Sequence, residues 1–535
     1  MKSYQYEFDK LKIKNKIMKT VIPIFLLSVL LIGFNPIAEG NNLRITNVAV
    51  NQTTKIVTFD ISWDNSWRLA GAPTNWDAIW VFVKFRDCAA TAATAFTHGA
   101  LSATKANHTF GASLEPMTTP CTASTGGCGG ADVTGSAVQG ATLDFTEGVL
   151  LRRSAVGSGT TSQTSVALNI TNLPAAGTTI TTYVKGIEMV YCPQGDFALG
   201  DGDGAGGGVS PTRTGFQNSG ATCNSTPMMI TSAYETAAQT FYICLATTAA
   251  VPAAWPKGQY GFYIMKYEIT EGLYVEFLNT IGGVAQAARY LGNVGSSRNQ
   301  AQAGAALNTY TTPRPDRAQN FFAWADYSAF LDWACLRPLC ETEYEKACRG
   351  TTTYTPSEWA WGTATGTGSN GGTFTAPGAE NGTEIFSLPV GANCAIGGAS
   401  NFTNGDGGQG PVRAGIFATA TSTRVTSGAG YFGAMELTGN VLEMVVGMHG
   451  TGASNVYTRT WGDGIVDPAD GNHNVATWPA FNVVIANNSV NNLVGWRGGY
   501  WGDAANHSAV SSRHYIYANA GATSRNGAVG GRGVR

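Results

Sequence analysis

From residue 42 to about residue 185, apolar and polar positions alternate in short runs. "LRITNVAV" (43–50), "KIVTFDISW" (55–63), "AIWVFVKF" (78–85), "SVALNITNL" (165–173) and "TTYVKGIEMV" (181–190) are alternating or β-branched. Successive side chains of a strand point to opposite faces, so each run predicts a strand. Together the runs predict an all-β sandwich over residues 41–185. Between the third and fourth runs, residues 89–140 are rich in Gly, Thr, Ser and Ala. That stretch predicts a long surface loop stapled by its cysteines, with His98 and His108 as isolated surface residues.

The pattern changes near Gly186. "IEMVYCPQGDFALGDGDG" (187–204) gives a strand and then a Gly/Asp loop, whose Asp201 and Asp203 lack full EF-hand spacing and read as a plain turn. "QYGFYIMKYEITEGLYVEFLNTI" (259–281) reads as a strand running into a helix, and apolar residues at helical spacing predict a second helix over 324–333. In "CETEYEKACRG" (340–350), Thr342 and Glu345 read as a capping box opening a further helix. Beyond Gly350 the chain is mostly Gly/Thr/Ser/Asn loops with short strands between them.

Composition narrows the classes. Over 535 residues, two or three domains are expected, and an apolar fraction of 43% supports real cores. Only 13% of residues are charged and the net charge is −2, so no electrostatic footprint for nucleic acid or an anionic membrane is present. Five lysines between residues 10 and 19 precede an apolar run over 21–34 and small residues at 38–40. This is signal-peptide logic for residues 1–40, the run being shorter than the about 20 residues of a membrane helix. No other segment is apolar enough to span a bilayer, so an extracellular or cell-surface location is expected. Export makes the ten cysteines expected disulfide partners, and three fall before residue 185 and seven after it. Two odd counts predict either one disulfide across that boundary, the plainer reading, or an unpaired thiol in each part, open to an intermolecular bond.

Four stretches occur in a fixed order: "YIMKYEITEGLYVEFLN" (263–279), "RPLCETEYEKACRG" (337–350), "GAMELTGNVLEMV" (433–445) and "GWRGGYW…VSSRHYI…GGRGVR" within 495–535. Residues 186–535 thereby resemble the formylglycine-generating enzyme, or sulfatase-modifying-factor, family. The preceding β-rich part resembles a domain found before such domains in secreted bacterial proteins. The resemblance implies an irregular, loop-rich α+β fold related to the C-type lectin fold. It also implies an oxidase that converts a substrate cysteine to formylglycine at copper held by two thiolates after the Arg-Gly-Gly motif. Here the last cysteine is Cys394, and Asp503 stands about where the first thiolate belongs. Soft copper needs thiolates, so no copper is expected. An iron triad from His507 and His514 with Asp503 or Asp467 is the weaker reading, two exposed loop histidines the plainer one.

The family's GN-x-x-E motif is kept as Gly439, Asn440, Val441 and Glu443. The resemblance implies calcium there, held by Asn440, Val441 and Glu443, against a buried Asn/Glu pair satisfied by backbone amides. Arg497, Arg513 and Arg532, with Arg525 and Arg535, match family arginines and are expected to be structural, a glycan or anion subsite being the alternative. "DPADGN" (467–472) reads as a turn. Tyr500, Trp501, Asp503, Asn506, His507, His514, Tyr515, Tyr517 and Asn519 have the character of a ligand or partner surface. Three functions follow. One is a non-catalytic secreted structural or adhesive protein, self-associating or bound to surface proteins and glycans. Another is a glycan- or protein-binding receptor. The third is a metal-dependent oxidase-like enzyme with an altered site.

Overall fold

A strand that is apolar at successive positions must be buried on both faces, and the run 78–83 shows what that does to the whole molecule. The computed structural model of the chain describes residues 42–118, 141–200, 216–217, 227–243, 246–351, 353–368, 373–376, 385–387, 391–397, 401–402, 408–419, 421–448, 456–480, 493–503, 507–513, 515 and 525–535. Strands dominate, with six short α-helices among the described residues. We label the elements used below β1 (Arg44–Asn51), β2 (Ile56–Arg68), β3 (Asp77–Asp87), β4 (Leu114–Pro116), β5 (Val149–Arg153), β6 (Gly157–Asn169), β7 (Ile180–Cys192), β8 (Phe262–Met265), α1 (Glu271–Leu278), α2 (Trp324–Trp333), β9 (Arg337–Pro338), α3 (Glu341–Arg349), β10 (Leu442–Val446), β11 (Val494–Arg497), β12 (Val529–Gly530) and β13 (Gly533–Val534).

β3 lies inside an eight-stranded sheet of order β9-β13-β8-β7-β3-β5-β4, with Thr97–His98 also paired to β3. Its two faces feed two cores. Ala78, Trp80 and Phe82 point into the larger one, with Tyr274, Phe277 and Leu278 of α1 and Phe330, Leu331 and Trp333 of α2. Ile79, Val81, Val83 and Phe85 point into the smaller one, closed by Val57, Phe59, Ile61 and Trp63 of β2 and Val166 and Leu168 of β6. β1, β2 and β6 form a separate three-stranded antiparallel sheet over that second core. Lys84 shares the larger-core face, where its ammonium donates to the carbonyls of Trp333 (2.9 Å) and Gly464 (2.5 Å). Burial pushes that amine down to about 8.

The change of texture near residue 185 falls inside β7, which pairs with β3 over eleven residues, from Asp77↔Val190 to Asp87↔Ile180, and with β8 on its other edge. Gly40–Arg535 forms one packed unit. No helix among the described residues is long and apolar enough to cross a membrane.

Several expectations are corrected here. The described part of the 89–140 stretch is no surface loop: Phe96, Leu101, Phe110, Leu114 and Met117 are buried. His98 and His108 are buried too, because a neutral imidazole can satisfy the backbone around it. His98 Nε2 donates to the Glu147 carbonyl at 2.6 Å, and His108 donates to Ser102 O (2.8 Å) while accepting the Asn169 N–H (3.1 Å). Cys88, Cys192, Cys335, Cys340, Cys348 and Cys394 are free thiols, all buried except Cys88. Those five pack as small apolar side chains instead of bridging elements. Cys121, Cys128, Cys223 and Cys244 lie outside the described residues, as does the Asp201–Gly204 loop. The helix predicted over 324–333 is α2. α3, however, begins at Glu341, not after Thr342: its N-cap is Cys340, whose N–H donates to Glu343 Oε2 at 3.3 Å. Thr342 instead donates to Pro256 O at 3.3 Å.

Candidate functional site

The three C-terminal motifs meet in one small sheet. β10, from the GN-x-x-E segment, runs antiparallel to β11, which ends in Arg497, and parallel to β12 ahead of the final Gly-Arg-Gly run. Glu443 sits opposite Arg497 on one side and Gly530 on the other. Its carboxylate is held by Arg532 at 2.9 and 2.7 Å, both side chains being almost fully buried. Arg532 also donates to the carbonyls of Met265, Lys266 and Met435 (3.2, 3.2 and 2.6 Å), tying β8 to the β10 turn.

α3 looks like a solvated charged helix in sequence, yet every one of its residues is buried. Its face holds Glu341 and Glu345 one turn apart, and both carboxylates take the same two guanidinia. Arg497 reaches them at 3.2 Å each, and Arg513 at 2.9 and 2.8 Å. Arg349 adds 2.8 Å to Glu345 and a contact to Glu358, and the Gly200 N–H adds 2.5 Å. Burial by itself pushes the Glu345 carboxyl up, but Arg513, Arg349 and Arg497 override it and hold it at about 2. Arg497 and Arg513 bracket the segment between them, so that segment leaves and returns at one clamp.

Within the bracket the backbone turns sharply at Gly498 (φ 91°) and Gly499 (φ 73°). A Cβ on Gly499 would lie 2.1 Å from Ser508 Oγ, so only glycine fits. Asp503 is buried, its N–H donating to Tyr500 O at 2.9 Å and its C=O accepting Gly397 N–H at 3.1 Å. Its Oδ1 meets His507 Nδ1 at 2.6 Å and the Tyr515 hydroxyl at 3.0 Å. Burial, and after it the Asp503 charge, pushes the Tyr500 and Tyr515 phenols up. The rings around Asp503 meet at steep angles: Tyr500 with Trp501 at 89°, Tyr500 with Tyr515 at 67°, His507 with Tyr515 at 85°.

Of the residues expected on a partner surface, Tyr500, His507 and Tyr515 are half-buried. Trp501 is buried: its indole donates to Gly527 O at 3.3 Å and its backbone N–H to Asn440 O at 2.9 Å. Asp503 is buried as the shared acceptor of His507 and Tyr515. Asn506, His514, Tyr517 and Asn519 lie outside the described residues. Asp467 is taken up in its own turn, accepting Ala469 N–H at 2.8 Å and Gly471 N–H at 2.7 Å. Arg525 pairs with Asp326 at 2.9 Å. The Arg535 guanidinium lies 3.8 Å from the Trp80 ring centre and 4.0 Å from that of Phe145. Sequence reading passes over Glu341 and gives Glu345 a capping role; in the structure Glu345 instead pairs with Arg497 and Arg513, and the one signal was the position of Glu341 and Glu345 one turn apart on a helix whose partner arginines lie far along the chain.

The Asn440 and Glu443 side chains expected for calcium are engaged by the protein itself. The Asn440 side-chain Oδ1 accepts Val412 N–H at 2.9 Å, and its Nδ2 donates to Glu268 Oε2 at 2.5 Å. The Val441 N–H donates to Glu268 Oε1 at 3.1 Å, and Glu443 is paired with Arg532. A calcium ion at these residues would have to turn the Asn440 amide and displace a guanidinium, so the arrangement does not fit the ion and no step is derived through it. Among the described residues no three His, Cys, Asp or Glu side chains converge as metal ligands. Cys394 packs with Trp359, Trp361, Ile396 and Ala509, and burial pushes its thiol up to about 12.

No curated protein matches the chain. A family model described as the sulfatase-modifying factor enzyme 1-like domain matches residues 186–535. That match spans well over half of the sequence and takes in β8, α3 and the β10–β12 sheet with its arginine clamps, and the chain belongs to this FGE-sulfatase domain family.

Proposed function

We propose that this protein is an exported, non-catalytic structural or adhesive member of the family, using the fold as a scaffold that presents the segment between Arg497 and Arg513 to partners or to copies of itself. The observation that carries this is the chemistry of that segment. It contains no cysteine, and Asp503 stands there hydrogen-bonded to His507 and Tyr515. The thiol closest to it in sequence, Cys394, packs in an apolar cluster where burial pushes its pKa up and disfavours the thiolate. A site built for a soft ion asks for thiolates that can ionise. The low charge fraction supports self-association, since few like charges oppose contact between copies. On this reading residues 1–40 direct export and residues 41–185 add a β-sandwich to the family domain. Half-buried rings at the segment favour partner binding as the second reading.

The test is electron microscopy and light scattering of the secreted protein, together with an assay for cysteine-to-formylglycine conversion on a peptide. Ordered filaments or sheets with no conversion are expected. A strict monomer at high concentration would overturn assembly, and conversion of the peptide would overturn the non-catalytic reading.

A further inference from the structure

The ring cluster around Asp503 has a geometry that selects among ligand chemistries. A sugar is held by one flat, open aromatic face flanked by free hydrogen-bond acceptors. Here the rings are inclined to each other at 67–89°, and Asp503 Oδ1 already accepts from both His507 and Tyr515. Steeply inclined ring faces around a carboxylate are instead the arrangement that attracts an organic cation. The negative ring faces supply the quadrupole attraction, and the carboxylate supplies a field that needs no direct hydrogen bond. Burial of Asp503 keeps its charge poorly screened by salt. Tyr500, His507 and Tyr515 are half-buried, whereas Asp503 beneath them is buried. Arg497 and Arg513 clamp the segment ends on Glu341 and Glu345, so the cluster is held in advance of binding.

We infer that Tyr500, His507 and Tyr515 over Asp503 form a cradle for an alkylammonium group, the cationic end of a partner side chain or of a quaternary amine. This rests on the reading of the Arg497–Arg513 segment as a presenting surface, and it names the chemistry presented to. Three probes decide it on the full secreted chain by ligand-observed NMR titration: tetramethylammonium, methylammonium, and the uncharged isostere tert-butanol. Saturable binding of tetramethylammonium with no binding of tert-butanol is expected. Stronger binding of tetramethylammonium than of methylammonium would mark a quaternary amine as the natural group, and the reverse order a lysine-like one; either supports the cradle. Tyr500→Leu should weaken binding roughly tenfold while circular dichroism is unchanged. Asp503→Asn should weaken it comparably, Tyr500→Leu serving as the half-exposed variant if Asp503→Asn misfolds. Equal binding of the cations and tert-butanol, or no binding, overturns the inference, as does Tyr500-dependent binding of neutral sugars. A protein that binds tetramethylammonium yet stays monomeric keeps this inference and removes the assembly reading.

Discussion

A chain that begins at Gly186, the first residue matched by the family, is expected not to fold, whereas a chain from Asn42 folds cooperatively. Cutting there removes β3, and with it the β3 ladder from the part of β7 that remains. It also strips Trp76, Trp80 and Phe82 from the core that α1 and α2 pack against. Full burial of three such side chains contributes roughly 5–9 kcal/mol in all, as much as the whole net stability of many domains. Polar contacts go with them. The Trp80 indole donates to Ala334 O at 2.9 Å, Lys84 to Trp333 and Gly464, and Asn75 to Phe432 O at 2.6 Å. The carbonyls left behind lose these partners, and the apolar face that β3 covered is opened to water. The measurement is soluble yield, dye binding and thermal melting of residues 186–535 beside residues 42–535. A cooperative melt of the short chain within a few degrees of the long one would sink the idea. The family boundary is thus a boundary of sequence resemblance that lies within a strand.

How much of this was readable in the residues depends on where their partners lie. β1, β2, β3, β6 and β7 follow from alternation, because a strand's two faces are written into a period of two. β3 reads with the other alternating runs, and its cover on both faces, by α1 and α2 on one side and β2 and β6 on the other, needed three dimensions. Phe96, Leu101, Phe110 and Leu114 escaped notice since Thr, Gly and Ala around them dilute any periodicity. His98, His108 and the five buried cysteines were misjudged for a different reason. A His or Cys is buried or exposed according to carbonyls and apolar neighbours far along the chain, which no local pattern encodes. The same holds at the candidate site. Asp503, His507 and Tyr515 read as members of one partner surface, but their convergence on the Asp503 carboxylate depends on both ends of the segment returning to α3.

That return depends on the four-charge clamp, and Glu345→Gln is the substitution expected to show it. Exposed ion pairs contribute at most about 1 kcal/mol, and a clamp of that kind would make the change trivial. Glu341, Glu345, Arg497 and Arg513 have no exposed side-chain surface, so the buried regime decides the outcome. Removing one buried charge leaves its partners uncompensated, at a cost of about 3–5 kcal/mol. The neutral amide of the variant would offer one acceptor to three guanidinia and turn an N–H donor toward donors. A lower urea midpoint with an unchanged slope is expected. A Glu345→Gln/Arg513→Met pair should recover part of the loss, as coupled sites do. The pH profile gives an independent check. The folded Glu345 carboxyl, near 2, lies below its ordinary 4.5. Its contribution is therefore complete above 4.5 and is lost as pH falls through about 2. Between pH 7 and 5 the difference between wild type and Glu345→Gln should stay constant, and it should shrink below pH 4. A variant within about 1 kcal/mol of wild type at pH 7, or a difference that closes near neutrality, would mean that the clamp does not hold the Arg497–Arg513 segment and that packing beneath it does.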